Sequence, residues 1–313
     1  MTYAADSFDT LPRIPSWVTS ARPETFEDVA FLSGAALTVL DQLVSDPKNG
    51  VPVKLLANRL ALSAATATSK LEGRLAQEAD IRDAYHLTPP GEARGPDGDM
   101  LAFWRDGGRL RASGTGEIAD LIGADLAGEV GVWLDAGLEG ARTRGPLAGC
   151  SAGLHAVLET DDRAERVSCL LSDVVLTRAL NWKTILPVTA QRLTKAALRD
   201  LTAEGQGAEL AVQARILESI EETVRLAQDL ARRAEALRAI APKLRAKGSD
   251  AAVELFLTED AVAPASMLSP YIRGTSIPMT DRAARRFCDR LVELGVAREL
   301  TGRPTFRLYG IAP

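Results

Sequence analysis

Six arginines near the C-terminus are the residues best suited to chemistry with a ligand: Arg282, Arg285, Arg286 and Arg290 in one run, then Arg303 and Arg307. A guanidinium is permanently charged, and its planar fork of donors matches both phosphate oxygens and the major-groove edge of guanine. The first four arginines interleave with Ala284, Phe287, Cys288, Leu291 and Leu294, which share the spacing of one buried helical stripe. The arginines are therefore expected to face water. The chemistry they suggest is capture of duplex DNA, with Arg282, Arg285, Arg286 and Arg290 on a recognition helix and Arg303 and Arg307 on phosphate.

Charge distribution supports that expectation. From Tyr271 to Pro313, eight arginines stand against Asp281, Asp289, Glu293 and Glu299, a local balance of +4. The whole chain carries −5, so residues 1–270 carry −9. An acidic protein can still bind DNA through one basic face. A second basic tract, Arg232, Arg233, Arg238, Lys243, Arg245 and Lys247 against Glu235, closes a long helix, where part of the excess complements the helix dipole and the rest extends a DNA-facing surface.

No complete catalytic constellation accompanies these residues, and the chain is not read as an enzyme. There is no GxxxxGK[ST], no GxSxG and no strand-embedded GxGxxG. His86 and His155 are the only histidines, and Cys150, Cys169 and Cys288 are too scattered for a disulfide framework or a structural zinc site. Glu159, Asp161 and Asp162 form an acidic cluster better read as a solvated loop than as a Mg²⁺ site. No metal and no cofactor is expected. The free thiols fit a reducing cytoplasm, and no run approaches the roughly 18 apolar residues that span a bilayer.

The elements that must position the arginines are legible. Thr280 is a good N-cap with Asp281 in the first turn, and Gly295 ends the helix. Val296 to Leu300 then reads as a strand, Thr301 to Pro304 as a turn and Thr305 to Tyr309 as the return strand. Helix followed by hairpin is the order of a winged helix. Ala251 to Leu257 supplies the module's first helix, so a winged-helix domain is expected over 249–313.

Before it, 313 residues with 46% hydrophobic but only 5% aromatic content imply a core of Leu, Ala, Val and Ile packed as helices. An extended arm with Pro12, Pro15, Pro23 and Trp17 occupies residues 1–25, and an all-helical body follows over 26–248. Helices are expected over 26–45 and 52–86, with Gly73 as a break or kink. The stretch TPPGEARGPDG at 88–98 reads as a loop, followed by a short helix near 100–105 and a glycine-rich region with little to pack tightly. Three packed helices over 148–199 and one long amphipathic helix through Leu210–Leu237 complete the body. A homodimer is a natural partner state for such a body.

The segments RLALSAATATSKLEGRLAQEADIRDAYHL, LNWKTILPV and DRAARRFCDRLVELGVARELTGRPTFRLYG resemble a bacterial family catalogued as domain of unknown function 1403. More distantly, the chain is similar to Fic proteins, many of which transfer AMP to protein hydroxyls. Some carry an inhibitory [S/T]xxxE[G/N] helix motif and end in a winged helix. Thr68, Glu72 and Gly73 fit that motif, and Arg163 and Arg166 keep the spacing of the two phosphate-gripping arginines. The HPF histidine and GNG turn of active members have no counterpart, which argues against AMP transfer. This resemblance implies a mainly α fold, a Fic-like helical body with one C-terminal β-hairpin, and a degenerate site in which Glu72 reaches Arg166.

Overall fold

The computed structural model describes residues 11–89, 91–203, 205–244 and 248–311. Within the expected arm, a single turn, α1 (Ser16–Thr19), stacks Trp17 on Phe31 of α2 (Phe26–Ser45) with ring centroids 5.5 Å apart. Thr25 starts α2 with a capping box: its hydroxyl accepts from Asp28 N, and the Asp28 carboxylate accepts from Thr25 N. α2 is long and apolar enough to cross a membrane by length and composition, more so than the sequence reading allowed. Its Leu32, Ala36, Leu40 and Leu43 nevertheless join one core with Leu217, Ile220, Val224 and Ala227 of α12 (Gln206–Ile240), the long amphipathic helix.

The expected 52–86 helix is broken. α3 (Val53–Leu71) ends before Gly73, whose φ of +80° turns the chain into α4 (Glu78–Leu87). Next comes a correction: α5 runs Gly95–Arg109, through residues expected to be loop and breaker. Its glycines admit neighbours. A Cβ on Gly98 would lie 3.2 Å from the Ala84 backbone on α4, and one on Gly107 would meet Leu170 at 2.9 Å. The helix gains close packing that offsets its poor intrinsic propensity.

The same physics overturns the expectation of a loosely packed middle. α6 (Thr115–Ile122) and α7 (Ala124–Ala127) lead to α8 (Val130–Arg144) and α9 (Pro146–Thr160), an antiparallel pair joined at Gly145. Added Cβ atoms would lie 3.2 Å from the Gly149 carbonyl at Gly137 and 2.7 Å from the Gly137 carbonyl at Gly149, so the backbones nearly touch. α10 (Glu165–Ala179) packs on both, burying Trp133, Val157, Leu171, Val174 and Val175 in a second cluster. α11 (Lys195–Thr202) lies before α12.

The C-terminal module is winged-helix-like. It contains α13 (Ser249–Phe256), a π-turn over Pro264–Leu268, α14 (Asp281–Glu293) and a two-stranded antiparallel sheet, β1 (Ala297–Glu299) with β2 (Tyr309–Ile311). Val262 adds a bridge to Tyr309, with N–H···O distances of 2.7 and 2.9 Å in the two directions. The return strand begins at Tyr309 rather than Thr305, and Ala297 faces Ile311. The reason lies in Glu299, whose carboxylate accepts from Thr301 N, Gly302 N and the Thr301 hydroxyl. These bonds stabilise a long loop over 300–308 in place of a tight turn.

Candidate nucleic-acid interface

Thr280 caps α14 through its hydroxyl, which accepts from Ala283 N at 3.3 Å. Ala284, Phe287, Cys288 and Leu291 are buried, and all four helix arginines are exposed. The helix surface splits them into two rows. Arg282, Arg286 and Arg290, at steps of four, line an open groove of about 600 Å³ with Lys243, Leu244 and Thr280. Arg285 lies outside that lining and pairs with Asp281 at 2.7 Å.

The pairing state of these cations matters. Arg290 contacts Glu293 at 2.9 Å, a solvated pair of small energetic weight. Arg282 and Arg286 have no ion-pair or hydrogen-bond partner among the described residues. Two free guanidinium groups, a third weakly held, and the Lys243 ammonium thus converge on one groove. Arg245 and Lys247, the rest of the basic tract after Lys243, lie outside the described residues.

The wing arginines are placed differently. Arg303 sits 3.4 Å from Asp83 of α4, and Arg307 donates from Nε to the Arg303 carbonyl at 3.2 Å. The Tyr309 hydroxyl donates to Asp289 of α14 at 3.1 Å, tying β2 to that helix. The wing therefore lies against the body at its tip and against α14 at its base.

A buried ionic knot holds module and body together. Arg105 of α5 pairs with Glu259 at 2.8 Å and, more closely, with Asp260, while His86 Nε2 of α4 lies 3.2 Å from Asp260 Oδ1. Burial alone would raise the Asp260 carboxyl, but Arg105 and His86 outweigh it and hold it well below the usual carboxylate range. Burial would lower Arg105; Asp260 and Glu259 outweigh that too, and its pKa rises. Asn58 adds a 2.7 Å bond to the Thr258 carbonyl, and Arg59 a 3.4 Å bond to that of Ile311. None of these residues carries a local signature, because the partners of Arg105 and His86 lie 154 and 174 residues away.

The Fic-like residues are partly brought together. Glu72 caps the C-terminus of α3, and its carboxylate lies 3.2 Å from Arg166 Nε; the Arg166 guanidinium also stacks over Phe103 at 4.8 Å. Burial raises the Glu72 pKa despite the opposing pull of Arg166. Thr68 is buried, donating to the Ala64 carbonyl at 2.7 Å and accepting from Trp104 Nε1 at 2.9 Å, which gives it a packing role. Gly73 serves the turn already described. Arg163 lines a separate cavity of about 160 Å³ with Asp162, Glu165, Lys195 and Arg199, and Lys195 pairs with the buried Glu165 at 3.0 Å. Among the described residues no three His, Cys, Asp or Glu side chains cluster as metal ligands.

Asp173 escaped the sequence reading. It is fully buried in α10, and its Oδ1 accepts from Val188 N and Thr189 N, both at 2.9 Å, fixing the turn after Pro187. Burial pushes its pKa up to about 8, against the opposing pull of the Val188 and Thr189 donors. All three cysteines are free and buried, and burial raises each thiol.

No curated protein matches the chain. A family model described as "Protein of unknown function (DUF1403)" matches residues 2–311, and the chain therefore belongs to that family.

Proposed function

We propose that this protein binds duplex DNA through the groove beside α14, with the helical body as its sensing or dimerisation platform in the cytoplasm. The observation that carries this reading is the pair of guanidinium groups, Arg282 and Arg286, that have no partner among the described residues and share a groove with Arg290 and Lys243. Unpaired arginines on a capped helix gain little for the fold, whereas phosphate oxygens would supply charge-assisted, bidentate hydrogen bonds. The site spans the expected boundary near residue 248 only in sequence: Lys243 precedes it and α14 follows it. Fluorescence anisotropy with a random duplex over a salt series tests it. The Arg282→Ala, Arg286→Ala double variant should weaken binding and reduce the salt slope by about two, at roughly 0.9 per lost phosphate contact. Absence of binding by the wild-type chain at low salt would sink the reading and leave the module as a protein-docking surface.

A second reading rests on the Glu72–Arg166 contact, which is the one a Fic-type inhibitory helix would make. In it the body is a degenerate Fic-type nucleotide or protein binder without AMP transfer. Titration calorimetry with ATP, on wild type and on Glu72→Ala to release Arg166, decides it. Heat of binding appearing in Glu72→Ala supports this reading; no heat in either protein removes the nucleotide arm.

A further inference from the structure

The docked wing bears on how the groove beside α14 is used. Asp83 bridges two arginines with its two oxygens: Oδ1 accepts from Arg82 Nε at 3.0 Å and Nη2 at 2.7 Å, and Oδ2 faces Arg303 Nη2 at 3.4 Å. Arg82 Nη2 also donates to the Leu300 carbonyl at 3.1 Å. One acid–base pair on α4 thus holds the wing loop at its first residue, Leu300, and at Arg303. Asp83 is nearly enclosed, its side chain 11% exposed, whereas Arg303 is 57% exposed. An enclosed carboxylate with a solvent-facing guanidinium is a pair that can part from one side. Residues 302–307, which include the Arg303 anchor, are exposed, and Phe306 stands in solvent with a φ of +55°. The loop itself has little apolar contact to keep it in place, which is how segments of low local stability are built.

We propose that Asp83 is a latch: it keeps the wing docked on the body, and engagement of the wing with DNA requires Arg303 to exchange this carboxylate for a backbone phosphate. The inference rests on the DNA reading above. The two anions compete for one guanidinium, since both accept the same charge-assisted bonds. The latch makes the body a regulator of the module, because any change that moves α4 alters the availability of Arg303. The groove cations Arg282 and Arg286 need no such release. Binding would then have two stages, first the groove and then the wing.

The test uses the full chain and two variants, Asp83→Asn and Arg303→Gln, with two readouts. Hydrogen exchange over residues 300–308 reports latch opening without DNA, and anisotropy with a random duplex reports binding. Both variants should speed exchange in the wing, yet they should act oppositely on DNA. Asp83→Asn should tighten binding by about two- to fivefold, the range of a partly solvated ion pair. Arg303→Gln should weaken it and lower the salt slope by about one. In an Arg303→Gln background, Asp83→Asn should add nothing. Wild-type exchange rates in both variants overturn the latch, as does an undiminished effect of Asp83→Asn in the Arg303→Gln background, which would mark a general charge effect. Faster exchange in the variants of a chain that binds no duplex would leave the latch standing and remove the DNA reading. Should Asp83→Asn fail to fold by circular dichroism, the exposed Arg303→Gln carries the exchange test, and an unchanged wing there overturns the proposal.

Discussion

The knot around Asp260 and the groove beside α14 are built from the same residue types and use them in opposite ways. In the knot, Arg105 and Asp260 are 2% exposed and each contacts more than one partner, so their charges are consumed within the fold. In the groove, Arg282 and Arg286 are exposed and hold no partner among the described residues. Burial with good pairing makes an arginine a positioning device; exposure without pairing leaves its donors for a ligand. Net charge cannot separate the two cases. The knot also explains why the module is not a loosely tethered appendage, since Arg59, Arg82, His86 and Arg105 all reach it from the body.

The contrast is broken most directly by removing a cation from each site. Arg105→Ala leaves Asp260 and Glu259 buried without their guanidinium, and should destabilise the protein by about 3–5 kcal/mol in chemical denaturation. A loss below about 1 kcal/mol would mean that the knot is solvated and that its pairing decides little.

A second experiment sharpens the role of pairing among buried acids. Asp260 has cations beside it and is held low, whereas Asp173 is met by the neutral donors of Val188 and Thr189, and burial raises it to about 8. A carboxyl whose pKa is higher folded than unfolded binds more protons in the native state, so stability falls as pH rises from about 4 through about 8. The slope should approach about 1.4 kcal/mol per pH unit for this one group. Asp173→Asn should abolish that component, so its melting temperature should gain on the wild type between pH 5 and pH 8. Parallel melting curves for the two proteins across that window would show that Asp173 is ionised in the fold.

The smallest effect on stability is expected in the groove. Arg286→Ala should change unfolding free energy by no more than about 0.5 kcal/mol, because an exposed unpaired side chain supports nothing. Its effect should instead appear in duplex binding, as a lower affinity and a salt slope reduced by about one, the signature of a lost phosphate contact. Destabilisation comparable to Arg105→Ala would erase the distinction between the two regions.

How much of this was legible follows from where each signal lives along the chain. α14 was readable because its cap Thr280, buried stripe and exposed arginines all lie within fifteen residues. The long α12 was readable for the same reason, through a sustained run of apolar steps. Glu72 and Arg166 were connected in advance only through a resemblance to a motif, and their 3.2 Å contact is a fact of geometry that does not by itself assign a role. The wing's return strand was misplaced by four residues because Glu299 rewires the turn with side-chain bonds that no alternation pattern records. α5 was missed over most of its length because glycine has poor helix propensity in isolation, yet Gly98 and Gly107 are the sites where α4 and Leu170 come closest.

Local periodicity and capping thus determined the mainly helical class, the position of α14 and the outward direction of its arginines, since those depend on neighbours three or four residues apart. Only the tertiary structure decided which charges are spent and which are free. Arg105 meets Glu259 across 154 residues and Asp83 meets Arg303 across a longer gap, whereas Arg282 and Arg286 have no ion-pair or hydrogen-bond partner among the described residues. Coulombic pairing and desolvation act through distance in space, and that distance is set by the packing of the whole chain.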